Sequence, residues 1–315
     1  MTPRSRSFSR RSSPTSFACV DLGGTRIRGA FARDPQRIER RDERETPTSG
    51  RPDIEAALAE SVRAAAGAAR DLEAVGVAAP GPLDHRTGVV HQAPNLTDFR
   101  DVPLAADLQR LLGVPVFVDR DTVVAALAEA MAGAAQGARD FVYVTISTGI
   151  GGAIVSHGRM VRGVTGTAGE IGHWPVDPDG PRCGCGTSGC IESIASGSAI
   201  ARAFGAESAA ATFTAARAGD ESARAILDRA GRALGDLAVG AVNLLNPALV
   251  VVGGGVTRNE PKFVLGAMRD AVERRAFAVP ARAVRIVPAA LGDDVGLVGA
   301  LLMARERLAG RDPLG

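Results

Sequence analysis

The chain has 315 residues, of which 45% are hydrophobic and 23% are charged, and its formal net charge is +2. Such a length allows two domains of ordinary size, each with its own hydrophobic core. A charge so close to neutral gives no support for nucleic acid or another polyanion as a partner. The sequence has no apolar stretch of the length that a bilayer requires, so we do not expect a membrane protein.

Residues 1–16 are rich in arginine and serine and have almost no apolar side chains. This composition predicts a disordered tail. The tail lacks the apolar run of a signal peptide, so the sequence favours a cytoplasmic location. It is also too short and too polar to form a DNA-binding domain of the helix-turn-helix type.

From Phe17 onward, short apolar runs alternate with alanine-rich segments of helical periodicity, which is typical of an α/β fold. In the first part of the chain we predict strands at 17–22, 27–32, 74–79 and 114–118, a charged loop at 34–52, and helices at 54–70 and 122–134. In the second part we predict strands at 141–146, 153–155, 248–252 and 284–288, and helices at 221–245, 261–275 and 296–308.

A strand, a Gly-Gly turn and a returning strand occur twice, once around Asp21 and once around Thr145. This repetition predicts a duplicated α/β unit with a cleft between the two copies. We expect an N-terminal domain at 17–118, completed by the last helix at about 296–310, and a C-terminal domain at 119–295 that carries a zinc-binding loop.

Three of the four cysteines lie close together in the sequence, a few residues after a histidine. Three thiolates and an imidazole suit a tetrahedral zinc ion, and because no position is left open for water the metal would be structural. The predicted ligands are His173, Cys183, Cys185 and Cys190. Buried free thiols or a disulfide are the alternatives, and a disulfide is disfavoured because nothing in the sequence indicates an oxidising compartment. Glu170 and Glu192 flank the cluster, so the metal would hold two carboxylates in fixed places.

Three glycine-rich turns each follow an apolar strand. They lie at Asp21-Leu22-Gly23-Gly24-Thr25, at Ser147-Thr148-Gly149-Ile150-Gly151-Gly152 and at Gly253-Gly254-Gly255. One such turn alone is more often structural, but three of them indicate a nucleotide cleft, since glycine lets backbone N–H groups approach phosphate oxygens. Asp21 could belong to the shell of a Mg²⁺ ion. Neither a P-loop nor a Rossmann fingerprint is present in the sequence.

These residues resemble the ROK (repressor, open reading frame, kinase) family of sugar kinases and sugar-responsive repressors. The matching segments, in chain order, are DLGGTRIRGA (21–30), APGPLD (79–84), APNL (93–96), STGIGGAIV (147–155), GTAGEIGH (166–173), CGCGTSGCIES (183–193) and VVVGGGV (250–256). The resemblance covers nearly everything from Phe17 to Leu308. It implies the actin-like ATPase fold, in which two ribonuclease-H-like domains bring ATP-Mg²⁺ and a sugar together in a cleft, and it implies a homodimer.

The resemblance also implies roles for individual residues. Asp121 matches the catalytic aspartate, which accepts the proton of the attacking sugar hydroxyl. The expected sugar ligands are Glu170, His173 and Glu192, with His173 touching both zinc and sugar. The expected nucleotide-binding residues are Asp21, Gly23, Gly24 and Thr25 in the first turn, Thr148, Gly149, Gly151 and Gly152 in the second, and Gly253, Gly254 and Gly255 on the adenosine side.

One residue of the site departs from the family pattern, because Arg120 stands where relatives usually carry a sugar-binding asparagine. Arginine is larger, charged and donor-only, so it cannot simply replace an amide. Either its side chain turns outward or it reshapes the pocket for another sugar. From its sequence position alone, Asp121 could equally cap the helix that follows, and Asp119 could share that role.

The resemblance implies an ATP-dependent hexokinase that phosphorylates the 6-hydroxyl of glucose or of a related hexose such as an N-acetylhexosamine. The alternative is a sugar-sensing protein that binds without catalysis and has no DNA-binding domain of its own. The presence of Asp21 and Asp121 favours the enzyme. Polyphosphate as the phosphoryl donor remains open at this point.

Overall fold

The structure is a computed structural model that describes residues 15–93 and 95–315. The predicted disordered tail, residues 1–16, lies outside the described residues except for its last two. Ser16 already belongs to the first strand, where its hydroxyl donates a hydrogen bond of 2.8 Å to the carbonyl oxygen of Asp71.

The described residues form thirteen strands, eleven α-helices and two short 3-10 helices. The strands are β1 (Ser16–Leu22), β2 (Arg26–Ala32), β3 (Arg40–Glu45), β4 (Leu72–Ala79), β5 (Leu83–Asp84), β6 (Val89–Gln92), β7 (Arg100–Val102), β8 (Val116–Arg120), β9 (Phe141–Ile146), β10 (Ile150–Ser156), β11 (Arg159–Met160), β12 (Leu249–Gly253) and β13 (Arg285–Pro288). The helices are α1 (Arg51–Ala66), α2 (Leu104–Leu112), α3 (Asp121–Ala132), α4 (Ile191–Ala195), α5 (Gly197–Phe204), α6 (Ala209–Arg217), α7 (Glu221–Leu245), α8 (Gly255–Asn259), α9 (Pro261–Arg275), α10 (Ala278–Ala283) and α11 (Val295–Leu308). The 3-10 helices are Ile171–His173 and Gly292–Asp294.

Two five-stranded sheets have the same topology. Their strand orders are β3-β2-β1-β4-β8 and β11-β10-β9-β12-β13, and a small sheet β5-β6-β7 accompanies the first. In each large sheet, the first three strands along the chain pair antiparallel and the remaining two pair parallel. The duplicated α/β unit predicted from the sequence is therefore present, and the two copies are called the first half and the second half below.

The predicted loop at 34–52 is wrong in part, because β3 lies within it. All six residues of β3 are charged, and the strand pairs antiparallel with β2 at the edge of the first sheet. Its pairing uses backbone groups while its side chains reach water, so no apolar alternation marks it in the sequence. Charged side chains on an edge strand also discourage pairing with another chain.

The cores lie on the central strands of both sheets. The strands β4, β9 and β12 are almost entirely buried, and Tyr143 on β9 is among the largest fully buried side chains. Each buried valine or leucine stabilises the fold by about 1.5–3 kcal/mol relative to an exposed one. These apolar runs explain why the central strands were readily predicted.

Helix α11 packs against β1 and β4 of the first sheet and also against α3. Its approach to β4 is so close that a Cβ atom on Gly76 would collide with the carbonyl oxygen of Ala300. In the first turn of the same helix, a Cβ atom on Gly296 would lie 2.8 Å from the Asp21 carboxylate. The first turn of α11 therefore touches the end of β1. In the part of the chain that the structure describes, no helix is long and apolar enough to cross a membrane.

Candidate active site

The first glycine turn joins β1 to β2 and leaves its backbone open to the cleft. The N–H of Gly23 donates to the carbonyl oxygen of Arg26 at 2.9 Å, which closes the turn, while Gly24 and Thr25 are exposed. The strand register puts Asp21 directly opposite Arg28, and their side chains form an ion pair. A carboxylate and a guanidinium therefore stand together beside the turn.

The second glycine turn lies between β9 and β10 and contacts one of the predicted sugar ligands. The carboxylate of Glu192 accepts the N–H of Ile150 at 2.9 Å, and a Cβ atom on Gly149 would lie 2.6 Å from the same carboxylate. Gly151 and Gly152 belong to β10 rather than to the turn, so the turn itself is shorter than the sequence suggested.

The third glycine turn links β12 to α8. Gly253 ends the strand, Gly255 begins the helix, and Gly254 between them has φ of 91°, a left-handed conformation that favours glycine. A Cβ atom on Gly254 would also collide with the carbonyl oxygen of Ile146. Glycine is required at this position for both reasons.

Two openings that share lining residues bring these turns and the predicted acids together. An opening of about 850 Å³ is lined by both the first and second turns through Gly23, Gly24, Thr25 and Thr148. A cavity of about 250 Å³ is lined by Asp121 and by the third turn through Gly254 and Gly255. Asp21 lines both openings, so it stands at their junction.

Asp121 is the first residue of α3, and Arg120 occupies the N-cap position. The Asp121 carboxylate accepts the N–H of Thr122 at 2.7 Å, which is the amide of the adjacent residue. Asp119 does not cap this helix either, because its carboxylate accepts the N–H of Arg120, the N-cap residue itself, and pairs with Arg162 and Arg307. The capping explanation for Asp121 thus accounts for one local hydrogen bond, while the carboxylate faces the cavity.

The pKa of Asp121 is raised to about 6. The main cause is the protein that surrounds the carboxyl group and displaces bulk water, although the side chain still touches solvent through the cleft. Repulsion from Asp21 raises this pKa further, while the Thr122 N–H and the charge of Arg120 lower it. A carboxylate with a pKa close to neutral is suited to accepting a proton during a reaction.

Arg120 turns inward, toward a predicted sugar ligand. Its side chain is 3% exposed, Nη1 donates to the carboxylate of Glu170 at 2.5 Å, and Nη2 donates to the carbonyl oxygen of Ala168 at 2.6 Å. Its Nε is buried and lacks a hydrogen-bond partner within the described parts of the chain. Of the two orientations expected from the sequence, the structure excludes the outward one, because the side chain lies against Glu170 and Ala168.

Asp119 accepts the backbone N–H of Arg120 at 2.9 Å and is itself held by two further arginines. Arg162 donates to the two Asp119 carboxylate oxygens at 2.7 and 2.8 Å, and Arg307 of α11 donates at 2.5 Å. Burial alone would raise the pKa of Asp119, but the hydrogen bonds of Arg162 and the charge of Arg307 outweigh it and hold the pKa below its usual value. Asp119 is therefore ionised and joins β8 to α11 and to the segment that contains Arg162.

The four predicted metal ligands converge on one point. One ligand atom from each of His173, Cys183, Cys185 and Cys190 lies within 4.8 Å of the other three. Cys183 Sγ lies 3.5 Å from His173 Nδ1, and Cys185 Sγ lies 3.6 Å from Cys190 Sγ. A tetrahedral site with zinc–sulfur bonds of about 2.3 Å has ligand–ligand edges of about 3.7 Å. The cluster has the dimensions of a zinc site, and its cysteines are free thiols rather than a disulfide.

The cluster is continuous with the predicted sugar ligands. Glu170 immediately precedes the 3-10 helix that carries His173, and Cys190 immediately precedes α4, whose second residue is Glu192. Anchoring these two short helices to one point would fix both carboxylates relative to each other.

Sequence reasoning missed three charged residues beside Asp21 and Asp121. Arg28 and Arg258 line the 250 Å³ cavity together with Asp293. Nη1 of Arg28 donates to the carbonyl oxygen of Asp293 at 2.9 Å, and Arg258 forms an ion pair with the Asp293 carboxylate. For Arg28 a signal was available, because antiparallel pairing across the Gly23-Gly24 turn puts it opposite Asp21. The position of Arg258 depends on tertiary structure.

Comparison with known proteins identifies relatives over almost the full chain. Residues 17–307 match the family model of the ROK family. A glucokinase from Thermotoga maritima is 33% identical over 311 residues, which cover 92% of this chain and 98% of that protein. An N-acetylmannosamine kinase from Escherichia coli is 36% identical over 294 residues, which cover 91% and 97% of the two chains.

Solved structures give the same result. The crystal structure of a ROK family glucokinase from Streptomyces griseus, in complex with glucose and AMPPNP, matches with a TM-score of 0.80 and 33% identity over 92% of this chain and 99% of that chain. ROK sugar kinases have the actin-like ATPase fold, so the predicted fold is confirmed. The match over 17–307, together with relatives of this identity and coverage, shows that the chain belongs to the ROK family.

Proposed function

We propose that the protein is an ATP-dependent sugar kinase that transfers the γ-phosphoryl group to the 6-hydroxyl of glucose, a related hexose or an N-acetylhexosamine. The observation that carries this proposal is Asp121, a carboxylate whose pKa is about 6, in a cavity between glycine turns from both halves. Relatives named glucokinase and N-acetylmannosamine kinase support the substrate class. The AMPPNP complex of a relative supports ATP as the donor.

In this mechanism Asp121 orients the sugar hydroxyl and accepts its proton as the oxygen attacks the γ-phosphorus of ATP. The backbone N–H groups of Gly24 and Gly149 are the proposed contacts of the phosphate chain, and Gly253 to Gly255 are the proposed contacts on the adenosine side. Asp21 is the proposed carboxylate for Mg²⁺, because it stands where the two openings meet. When bound, Mg²⁺ supplies positive charge that offsets the charge of the phosphate oxygens.

Glu170, His173 and Glu192 are the proposed sugar ligands. A carboxylate forms strong hydrogen bonds with hydroxyl groups because it is charged. Arg120 adds a fixed donor to this wall through its ion pair with Glu170. We therefore propose Arg120 as a residue that selects among sugars, whereas Asp121 determines the rate of transfer.

We propose that His173, Cys183, Cys185 and Cys190 hold one structural zinc ion. The separations of their ligand atoms and the soft thiolate donors support zinc. With Nδ1 of His173 beside Cys183 Sγ, the Nε2 atom remains available for a sugar hydroxyl. The zinc would then hold the sugar ligands in position and take no part in bond breaking.

We further propose that the two domains, 17–118 with the last helix and 119–295, close on the substrates, and that the protein is a homodimer. Three apolar residues are largely exposed: Leu244 (76%), Phe277 (69%) and Val279 (70%). They offer an apolar surface on which a second copy of the chain could pack. The amide N–H of Phe277 donates to the Asn243 side chain, which brings the two segments together. Sedimentation equilibrium of the parent protein and of Phe277→Ser would test the dimer.

A coupled assay of ADP release tests the proposed function. Purified protein is supplied with Mg-ATP and with each of a panel of hexoses and N-acetylhexosamines. We expect release with at least one sugar, and release at least about 100-fold slower with Asp121→Asn at the same enzyme concentration. If the parent protein binds a sugar but releases no ADP with any member of the panel, the non-catalytic sugar-sensing alternative replaces the kinase.

A further inference from the structure

The cavity that contains Asp121 has an excess of acidic groups for a site that receives a polyanion. Asp21, Asp121 and Asp293 all line it. A nucleotide triphosphate entering this space meets three carboxylates, and charges a few ångströms apart interact strongly where water is partly excluded. One divalent cation held by Asp21 does not balance these groups and the phosphate chain together. The remaining cationic side chains of the cavity are those of its two arginines.

Arg28 is held in the cavity by the sheet itself. It lies opposite Asp21 in the β1–β2 ladder, which fixes its Cα atom beside that residue, and the ion pair with the Asp21 carboxylate keeps its guanidinium there. Its side chain is 33% exposed and faces both openings. A guanidinium carries five N–H donors, and the contacts with Asp21 and the Asp293 carbonyl leave some of them free for phosphate oxygens.

Arg258 enters the same cavity from the second half. It lies in α8, directly after the third glycine turn, and pairs with Asp293. The two side chains of this pair are 49% and 67% exposed. An ion pair this exposed contributes little to stability, so Arg258 can exchange its partner for a phosphate at little cost.

We propose that Arg28 and Arg258, one from each half, bind the phosphate chain of the nucleotide donor. On donor binding, Arg28 shares its donors between Asp21 and the phosphate oxygens, and Arg258 moves from Asp293 to the same chain. Guanidinium groups suit phosphate because they present two parallel N–H donors, and charge near the transferring phosphoryl group stabilises the transition state. The inference rests on the proposed function only in that the donor is a nucleotide.

Nucleotide binding without turnover gives the first test. The dissociation constants of ADP and of adenosine are measured by calorimetry for the parent and for Arg28→Gln and Arg258→Gln. A hydrogen bond to a charged group is worth about 1.5–3 kcal/mol, so each variant should bind ADP about 10- to 100-fold more weakly. Adenosine has no phosphate, and its affinity should stay within twofold of the parent value. Arg28→Lys should recover part of the ADP affinity.

The matched controls are Arg33→Gln and Arg274→Gln, which remove surface arginines that pair with Glu39 and Asp270. Both should bind ADP as the parent does. In the kinase assay, Arg28→Gln should lower kcat while the KM for sugar stays unchanged. An ADP affinity within twofold of the parent in both cavity variants overturns the inference, as does an equal loss of adenosine and ADP binding.

The failure of the inference and of the proposed function can be told apart. If the parent binds ADP but phosphorylates no sugar, the kinase proposal fails while the ADP measurements still decide the role of Arg28 and Arg258. If the parent phosphorylates a sugar and the variants bind ADP normally, only the inference fails. A parent that binds no adenine nucleotide contradicts both.

Discussion

The guanidinium of Arg120 is paired with the carboxylate of Glu170, which ties the end of β8 to the segment that leads into the cysteine cluster. Asp119, on the other side of Arg120, is held by Arg162 and Arg307. Glu170, Arg120, Asp119 and its two arginines thus form a chain of alternating charges. If sugar binds against Glu170 as proposed, a donor-only residue beside it limits which sugar groups can lie there.

Replacing Arg120 by asparagine should change substrate preference. The ion pair with Glu170 would be lost, the carboxylate would be free to accept sugar hydroxyls, and an amide could both donate and accept hydrogen bonds. Relative kcat/KM values across a panel of hexoses and N-acetylhexosamines measure this change. Arg33→Gln, which removes an ion pair with Glu39 and leaves Arg120, Asp119 and Glu170 in place, serves as the control. An unchanged order of preference in Arg120→Asn would remove Arg120 from substrate selection.

Asp121→Asn should lower kcat by about 10² to 10⁴, because an amide cannot accept the proton of the sugar hydroxyl. Sugar affinity should change little, since Glu170, His173 and Glu192 remain. Asparagine caps helices as well as aspartate does, so a purely structural role predicts a variant with normal rate. Steady-state kinetics, together with calorimetric measurement of sugar binding, distinguish the catalytic role from the structural one. A kcat within a few-fold of the parent would contradict the proposed role.

The rate should depend on pH through Asp121. The base must be ionised, and its pKa is about 6, so kcat/KM is expected to fall roughly tenfold per pH unit below pH 6 and to level off above it. Glucose binding measured over the same pH range is the control and should change less. A profile that stays flat down to pH 5 would show that another group takes the proton.

The same pKa makes a prediction for stability. A carboxyl whose pKa is higher in the folded than in the unfolded protein binds its proton more tightly when folded. The free energy of unfolding should therefore rise as the pH falls from about 6 toward 3.8, the ordinary pKa of an aspartate. Above pH 6 the ionised group opposes folding, because it is poorly hydrated and repelled by Asp21. Asp121→Asn is therefore expected to have an equal or higher Tm than the parent at pH 7.5. A clear fall in Tm would indicate a structural role.

Loss of one cysteine should remove zinc and weaken sugar binding. Cys185→Ser removes the exposed ligand of the cluster and leaves three. Elemental analysis should then find much less than one zinc per chain, compared with one in the parent. Sugar affinity should fall, because Glu170 and Glu192 lose their common anchor, while ADP binding should persist. Cys19→Ser, at a buried cysteine distant from the cluster in sequence, is the control and should keep its zinc. A parent that contains no zinc and binds sugar normally would contradict the metal site.

The elements that the sequence predicted best are those whose burial is decided by local pattern. The strand 141–146 and the helices 221–245 and 261–275 agree with the structure to the residue, because apolar runs and helical periodicity mark them directly. The strand β3 was missed, since it is stabilised by backbone pairing with β2 and buries no apolar face. A pattern of apolar residues in the sequence predicts a strand or helix only where the side chains of that element pack into a core.

In the candidate site, too, the residues of local motifs could be predicted and those placed by tertiary contacts could not. The four residues of the Cys3His cluster lie within 18 residues of one another, and each glycine turn is a short local motif, so short motifs predicted them. The direction of Arg120 could not be predicted, because it depends on Glu170 and Ala168, which lie about fifty residues further along the chain. The pairing of Arg28 and Arg258 with one turn near residue 293 likewise requires the tertiary fold.

Helix α11 has a consequence for the order of folding during synthesis. It covers β1 and β4 of the first sheet, yet it follows the strands and helices of the second half along the chain. Until residue 308 leaves the ribosome, the apolar surface of those strands has no cover, so the first half cannot complete its core before the second half exists. Contacts this distant in sequence slow folding, because a long loop must close before they form. We expect both halves to unfold in one cooperative transition, and a nascent chain released before α11 to be a target for chaperones.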